Sequence, residues 1–254
     1  MLTLPFSLPA GALLDHEGDL LAQALTGTGV HWFAALPELM DGGMGSPVTR
    51  WQPAVGDRSA KPCDANTGNG AQSLHRNLPV MAFSTGVNGG FVATGAAKAA
   101  SCFTLAVIYA APVEEARTLA TLSLGSGEDR NIFFLSQSEG MLVAKDRSGG
   151  ISAELPCGPR NDRFHLVIAS WDGDRLILTH NESRAESRGS LAMADTAVDL
   201  FVGCRGHRKG LTKLLGAGQI GDVIFWPDQA LLSARHPADP AQLAALHTYF
   251  RWHY

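Results

Sequence analysis

Residues Phe164 to Glu182 read FHLVIASWDGDRLILTHNE. Phe164, Leu166 and Ile168 alternate with His165, Val167 and Ala169, which is the two-residue period of a strand whose successive side chains point to opposite faces. Asp172-Gly173-Asp174 interrupts the pattern. It resumes from Arg175 to His180, where Leu176 and Leu178 alternate with Ile177 and Thr179. Two alternating runs joined by a short Asp/Gly segment predict a β-hairpin, because Asp and Gly tolerate the positive φ that tight turns require.

Outward from the hairpin, runs at 79–83, 91–94, 103–109, 118–124, 131–136 and 140–145 predict further strands. Phe103, Leu105, Val107 and Tyr109 make the cleanest alternating face among them. Downstream, 198–203 (VDLFVG) and 218–226 (GQIGDVIFW) predict two more. Asp239-Pro240 then marks a helix start, with Asp as N-cap and Pro where its missing N–H is no loss. Leu243, Leu246 and Phe250 share one face of that helix, placed to pack on the strands. Toward the N-terminus, 30–33 and 48–51 give an aromatic-rich strand followed by a second tryptophan, Trp51.

This arrangement resembles the concanavalin A-like lectin/glucanase superfamily in its laminin-G-type branch. There a strand ending in a Trp-Asp-Gly turn leads into a strand ending at Asn, and the matching positions here are Trp171, Asp172, Gly173 and Asn181. Glu182 stands where the family usually has Gly, so the following turn must differ. The resemblance covers roughly residues 30 to 254. It implies an all-β fold, a two-sheet antiparallel jelly-roll sandwich with a short C-terminal helix near Pro240 to Phe250. Residues 1–29 are then an N-terminal arm or attachment segment, or a short helix docked on the sandwich through Leu13, Leu14, Leu20, Leu21 and Leu25.

Composition fits one such domain, since a single all-β sandwich can occupy ~200–250 residues. Hydrophobic residues make up 45% and charged residues 17%, enough to bury a large core, and 28 glycines and 13 prolines suit many short strands joined by turns. A net charge of -4 gives no reason to expect nucleic acid or an anionic membrane as partner. No apolar run approaches the ~20 residues that span a bilayer. The first residues lack a basic segment, and Pro5 and Pro9 break the apolar stretch, so no secretory signal peptide is expected. The chain is read as made in the cytoplasm and as reaching the outside, if it does, within an assembled particle. Cys63, Cys102, Cys157 and Cys204 form no C-x-x-C pair, and without an export signal reduced thiols are favoured over two disulfides.

Catalytic patterns are missing from the sequence. Retaining glycoside hydrolysis needs two carboxylates ~5 Å apart. The glucanases that this chain resembles take both from alternate residues of one strand, in an E-x-D-x-E pattern that does not occur here. Glu114-Glu115 and Glu128-Asp129 are adjacent, Glu182 and Glu186 lie in a polar turn region, and Asp222 could face a groove but has no partner two residues away. There is no G-x-S-x-G elbow. The nine histidines show no H-x-x-x-H or H-x-H spacing; His165 reads as a half-buried sheet residue, and His247 and His253 decorate the terminal helix and tail.

Two binding patterns stand out. Asp172 and Asp174 supply hard oxygens that calcium prefers, although Asp-Gly-Asp fits the preferences of a hairpin turn better than it fits a calcium site. Arg205, His207, Arg208, Lys209 and Lys213 lie within nine residues of a slightly acidic chain and predict an anion site in a polar loop. Trp51, beside the Gly/Pro/Asn-rich stretch 41–79, is the aromatic left for stacking on a sugar. The leading function is a non-catalytic carbohydrate-binding or adhesion module for surface polysaccharide, in the manner of a virion or phage-like spike or fibre. It would join other particle proteins through the N-terminal arm and could self-associate. A ligand-free assembly or decoration domain is the alternative, and a polysaccharide-degrading enzyme comes third.

Overall fold

The structure is a computed structural model that describes residues 17–64, 70–98, 100–125, 130–159, 161–192, 196–206 and 212–254. Strands are numbered in chain order. The first sheet runs β15 (Ser183–Arg188), β14 (Arg175–His180), β13 (His165–Trp171), β8 (Phe103–Ala110), β17 (Gln219–Pro227), β6 (Leu78–Ala82) and β5 (Ala71–His75), with β1 (His31–Ala34) also on β17. The second runs β12 (Ser152–Pro156), β11 (Met141–Asp146), β10 (Asn131–Ser138), β9 (Arg117–Leu124), β16 (Val198–Val202), β7 (Phe91–Ala97) and β4 (Lys61–Pro62). β2 (Met40–Asp41) and β3 (Arg50–Trp51) form a separate small pair. All these ladders are antiparallel, so the two-sheet sandwich predicted from the sequence is present.

Alternation explains where each residue goes. Phe103, Leu105, Val107 and Tyr109 of β8 face the second sheet, joining Phe91, Phe133, Trp171 and Phe225 in the inter-sheet core. Ala106, Ile108 and Ala110 point the other way, beneath two helices, so all eight residues of β8 are buried. A strand covered on both faces reads as a continuous apolar run. The hairpin of β13 and β14 forms in the expected register, with Trp171 opposite Leu176 and Gly173 at φ +100° in the turn. Asn181 itself takes the left-handed conformation, φ +53°, so Glu182 can occupy the position where the family has Gly.

The helices are α1 (Glu17–Leu25) and α2 (Asp239–His253). Leu21 and Leu25 of α1 are fully buried with Trp32, Trp226, Leu246 and Tyr249, so this part of the predicted arm docks on the first sheet beside α2. Residues 1–16, with Leu13 and Leu14, lie outside the described residues. Asp222 of β17, expected to face a groove, is instead fully buried. It accepts hydrogen bonds from Trp32 Nε1 at 2.8 Å, Tyr249 Oη at 3.0 Å and Tyr254 Oη at 2.5 Å, and so ties α2 to the sheet. Burial pushes its carboxyl above the ordinary range even though those three donors pull it down.

Candidate functional site

The β10–β11 hairpin turns at Glu139 and Gly140, both with positive φ, as a two-residue turn between paired Ser138 and Met141 requires. That turn sets the register, Phe133 opposite Asp146, and puts Arg130, before β10, and Arg147, after β11, at the same end of the hairpin. At this end of the second sheet lies an open cleft of about 700 Å³. Leu124, Ile132 and Ala192 give it apolar surface, and Arg130, Asn131, Arg147, Ser148, Ser190 and Thr196 line it with donors. Both arginines are exposed.

Among the described residues of this lining Asp146 is the carboxylate, and it belongs to the turn. Its oxygens accept the N–H of Ser148 at 3.2 Å, the N–H of Ile151 at 3.0 Å and the Ser148 hydroxyl. Burial alone would raise its pKa, but the Ser148 hydroxyl and the backbone donors hold it below the ordinary value. The carboxylate therefore shapes the loop and stays ionised, while Arg130, Arg147, Asn131, Ser190 and Thr196 line the cleft with polar groups. Such a set suits a carboxylate or sulfate, which Arg binds by charge-assisted and often bidentate bonds.

Of the residues predicted as a cationic site, the two that are described, Arg205 and Lys213, are not in the lining of this cleft. The Arg205 guanidinium stacks 4.7 Å from the Phe134 ring centroid, and its Nε donates to Thr118 Oγ1 at 3.3 Å, so this side chain packs on the second sheet. Its carbonyl accepts from Asn131 Nδ2 at 2.7 Å, which fixes one wall of the cleft. Lys213 is exposed on a short 3-10 turn, Thr212–Leu214, and its carbonyl accepts from the Arg117 guanidinium. His207, Arg208 and Lys209 lie outside the described residues.

Two other expectations are corrected. Trp51 is fully buried among Phe33 and Phe91, with Nε1 donating to the Ala34 carbonyl at 2.8 Å, so neither of its faces is available to a sugar. It is buried because the supposed loop carries β2 and β3 across the sandwich. Asp172 has a fully buried side chain whose oxygens are occupied by protein donors. Oδ1 takes the N–H of Asp174 and Arg175; Oδ2 takes Arg175 Nε at 3.1 Å and Ser233 Oγ at 2.8 Å and lies 3.3 Å from Arg235 Nη2. Two guanidiniums thus stand where calcium would have to sit. Burial opposes the charge, yet these bonds hold the Asp172 carboxyl down at about 2. Asp174 is exposed and pairs with Arg188 at 3.1 Å. Among the described residues, no three His, Cys, Asp or Glu side chains gather to hold a metal.

Sequence reasoning missed Arg130 and Arg147. The signal that finds them is the near symmetry of positions 130 and 147 about the Glu139-Gly140 turn, visible once 131–136 and 140–145 are paired as a hairpin. Among the described residues no helix is long and apolar enough to cross a membrane.

No protein-family model matches the chain. A search of curated proteins found no match either. Similarity appears among solved structures. Domain 4 of AbnA, a GH43 extracellular arabinanase from Geobacillus stearothermophilus solved with arabinotriose, aligns at TM-score 0.51 and 11% identity over 76% of this chain and 91% of that one. Trypanosoma rangeli sialidase aligns at TM-score 0.50 and 11% identity in its complex with 2,3-difluorosialic acid, over 87% of this chain and 33% of that one. Its complex with sialic acid gives TM-score 0.50 and 12% identity, over 92% and 37%. The chain spans about a third of the sialidase. At such identities the likeness is one of fold: this chain is similar in fold to these β-rich domains.

Proposed function

We propose that the chain is a carbohydrate-binding module that holds an acidic sugar in the cleft lined by Arg130 and Asn131 at the start of β10 and by Arg147 and Ser148 after β11. The observation that carries this reading is the cleft itself: two exposed arginines, Asn131 and the hydroxyls of Ser190 and Thr196 around a small apolar surface, with Asp146 and Ser148 committed to their own turn. Binding sites of this kind place a few convergent polar groups on a partly apolar surface. The described lining residues include no aromatic ring, so charge and hydrogen bonds, not stacking, would select the ligand. Solved neighbours captured with arabinotriose and with sialic acid set the ligand class to test first. Among the described lining residues the carboxylate is Asp146, and it is engaged by its own turn.

Placement on the surface of a virion-like particle is a finer proposal that rests on the N-terminal sequence alone. Its test is whether removal of residues 1–16 abolishes co-assembly while the sandwich stays folded.

Calorimetry against sialylated, uronate-containing, sulfated and neutral oligosaccharides tests the binding reading. Acidic oligosaccharides should bind, and more weakly as salt rises, because exposed charges are screened beyond about 8 Å at physiological ionic strength. Arg130→Ala with Arg147→Ala should weaken binding at least about tenfold, since each charge-assisted bond is worth roughly 1.5–3 kcal/mol. Binding that ignores both salt and the double substitution would contradict the proposal.

A further inference from the structure

We infer that β15 is an interface strand: its free edge fits the same edge of a second copy of this chain, in one antiparallel register centred on Ala185. The observation is independent of the cleft. Among the described residues, β15 ends the first sheet with no strand on its outer side. Such an edge offers unpaired N–H and C=O groups to another strand, and the other three ends of the two sheets are blunted. β4 is two residues long and includes Pro62, and β12 ends in Pro156. The chain at Gly45 and Pro47 lies along β5, with the Gly45 N–H on the Gln72 carbonyl and Pro47 bridged to Ala71. β15 contains neither Pro nor Gly, and its charges are of both signs.

Two hydrogen bonds fix which main-chain groups face outward. The Asp172 N–H donates to the Arg175 carbonyl, and the Gly189 N–H donates to the Asp174 carbonyl. Trp171 lies opposite Leu176 and Arg175 opposite Arg188. Alternation along an antiparallel ladder then turns Ser183, Ala185 and Ser187 toward β14 and leaves the N–H and C=O of Arg184, Glu186 and Arg188 pointing out. When two such edges meet about Ala185, Arg184 of each copy exchanges both main-chain bonds with Glu186 of the other.

The side chains select that register. Arg184, Glu186 and Arg188 share one face: Arg184 Nη2 lies 2.7 Å from Glu186 Oε1, Glu186 Oε2 lies 3.8 Å from Arg175 Nη1, and Arg188 Nη1 lies 3.1 Å from Asp174 Oδ2. Centred on Ala185, each Arg184 stands opposite a Glu186, each Arg188 falls opposite a Glu182, and Ser183 meets Ser187. Centred on Arg184 or on Glu186 instead, Arg would face Arg and Glu would face Glu. Opposite charges directly across a ladder stabilise it and like charges destabilise it. At the axis Ala185 meets Ala185, whose small side chains suit the close approach of a pair without main-chain bonds. The charges that turn other strands away therefore admit this chain itself, through an isologous contact. A contact one short strand wide lies at the low end of interface areas, so the dimer is a reversible one.

Sedimentation of the full chain from micromolar to millimolar concentration should show that reversible dimer. Arg184→Glu puts like charge opposite Glu186 of the second copy, and Glu186→Arg puts like charge opposite Arg184. Each substitution alone should weaken the dimer at least about tenfold. An equimolar mixture of the two variants should restore it, because each then meets the charge it lacks. In the unsubstituted protein the Arg184 and Glu186 amides should exchange more slowly as concentration rises, which decides the matter even if a variant does not fold. A monomer throughout that range, or a dimer that both single reversals leave intact, would overturn the inference.

Discussion

The turn after β13 and the turn after β11 are each held by one aspartate that gathers backbone N–H groups, Asp174 and Arg175 on Asp172, Ser148 and Ile151 on Asp146. Around Asp172 the chain adds Arg175, Ser233 and Arg235, which saturate a fully buried carboxylate and clamp the hairpin to the segment before α2. Around Asp146 the side chain is half-buried, and the turn opens on a cleft with Arg130 and Arg147 at its walls. The same local device therefore makes a closed structural node in one place and one wall of an open cationic cleft in the other. What distinguishes them is that Arg175 and Arg235 engage Asp172, whereas the donors that hold Asp146 come from its own turn.

The largest effect should come from breaking the closed node. Asp172→Ala leaves half-buried Arg175 with Glu186 alone and removes the partner of Ser233 and Arg235, and should lower stability by about 3 kcal/mol in denaturant unfolding. Added calcium should leave the unsubstituted protein's unfolding midpoint unchanged; a calcium-dependent rise would reinstate Asp172 and Asp174 as ligands. Next, Trp51→Phe should cost about 1–3 kcal/mol of stability through the lost Ala34 bond and cavity, while glycan affinity of the folded fraction stays the same. The open side should be nearly silent in stability: Arg130→Ala with Arg147→Ala should shift unfolding by no more than about 0.5 kcal/mol, because exposed charges contribute little to folding.

Acid sharpens the contrast. Both aspartates have folded pKa values below the ordinary 3.8, Asp172 at about 2, so each contributes stability that is present above about pH 3.8 and lost as pH falls below it. Acid unfolding curves below pH 4 should therefore flatten in Asp172→Asn, and less so in Asp146→Asn.

Much of this architecture was legible in the sequence, for a physical reason. β8, β13, β14 and β17 are buried on one or both faces, so their side chains must alternate or be continuously apolar, and that pattern is visible. β15 was not legible: it is an edge strand bearing Arg184, Glu186 and Arg188 toward solvent, where no burial imposes a period and charge guards the edge. Asp172 showed itself as a turn residue, but its role depends on Ser233 and Arg235, some sixty residues away. The density of positive charge at 205–213 drew attention to a loop whose Arg205 packs on Phe134. Arg130 and Arg147, each isolated in sequence, become neighbours only through strand pairing.

The most direct test of the open cleft is to titrate a short uronate or sialyl oligosaccharide into isotope-labelled protein and follow backbone amide shifts. Saturable changes should concentrate at Arg130 to Ile132 and Asp146 to Ile151, with the Asp172 turn unmoved. Changes centred on Arg205 and Lys213 instead, or none at millimolar sugar, would contradict the assignment of the cleft as the binding site.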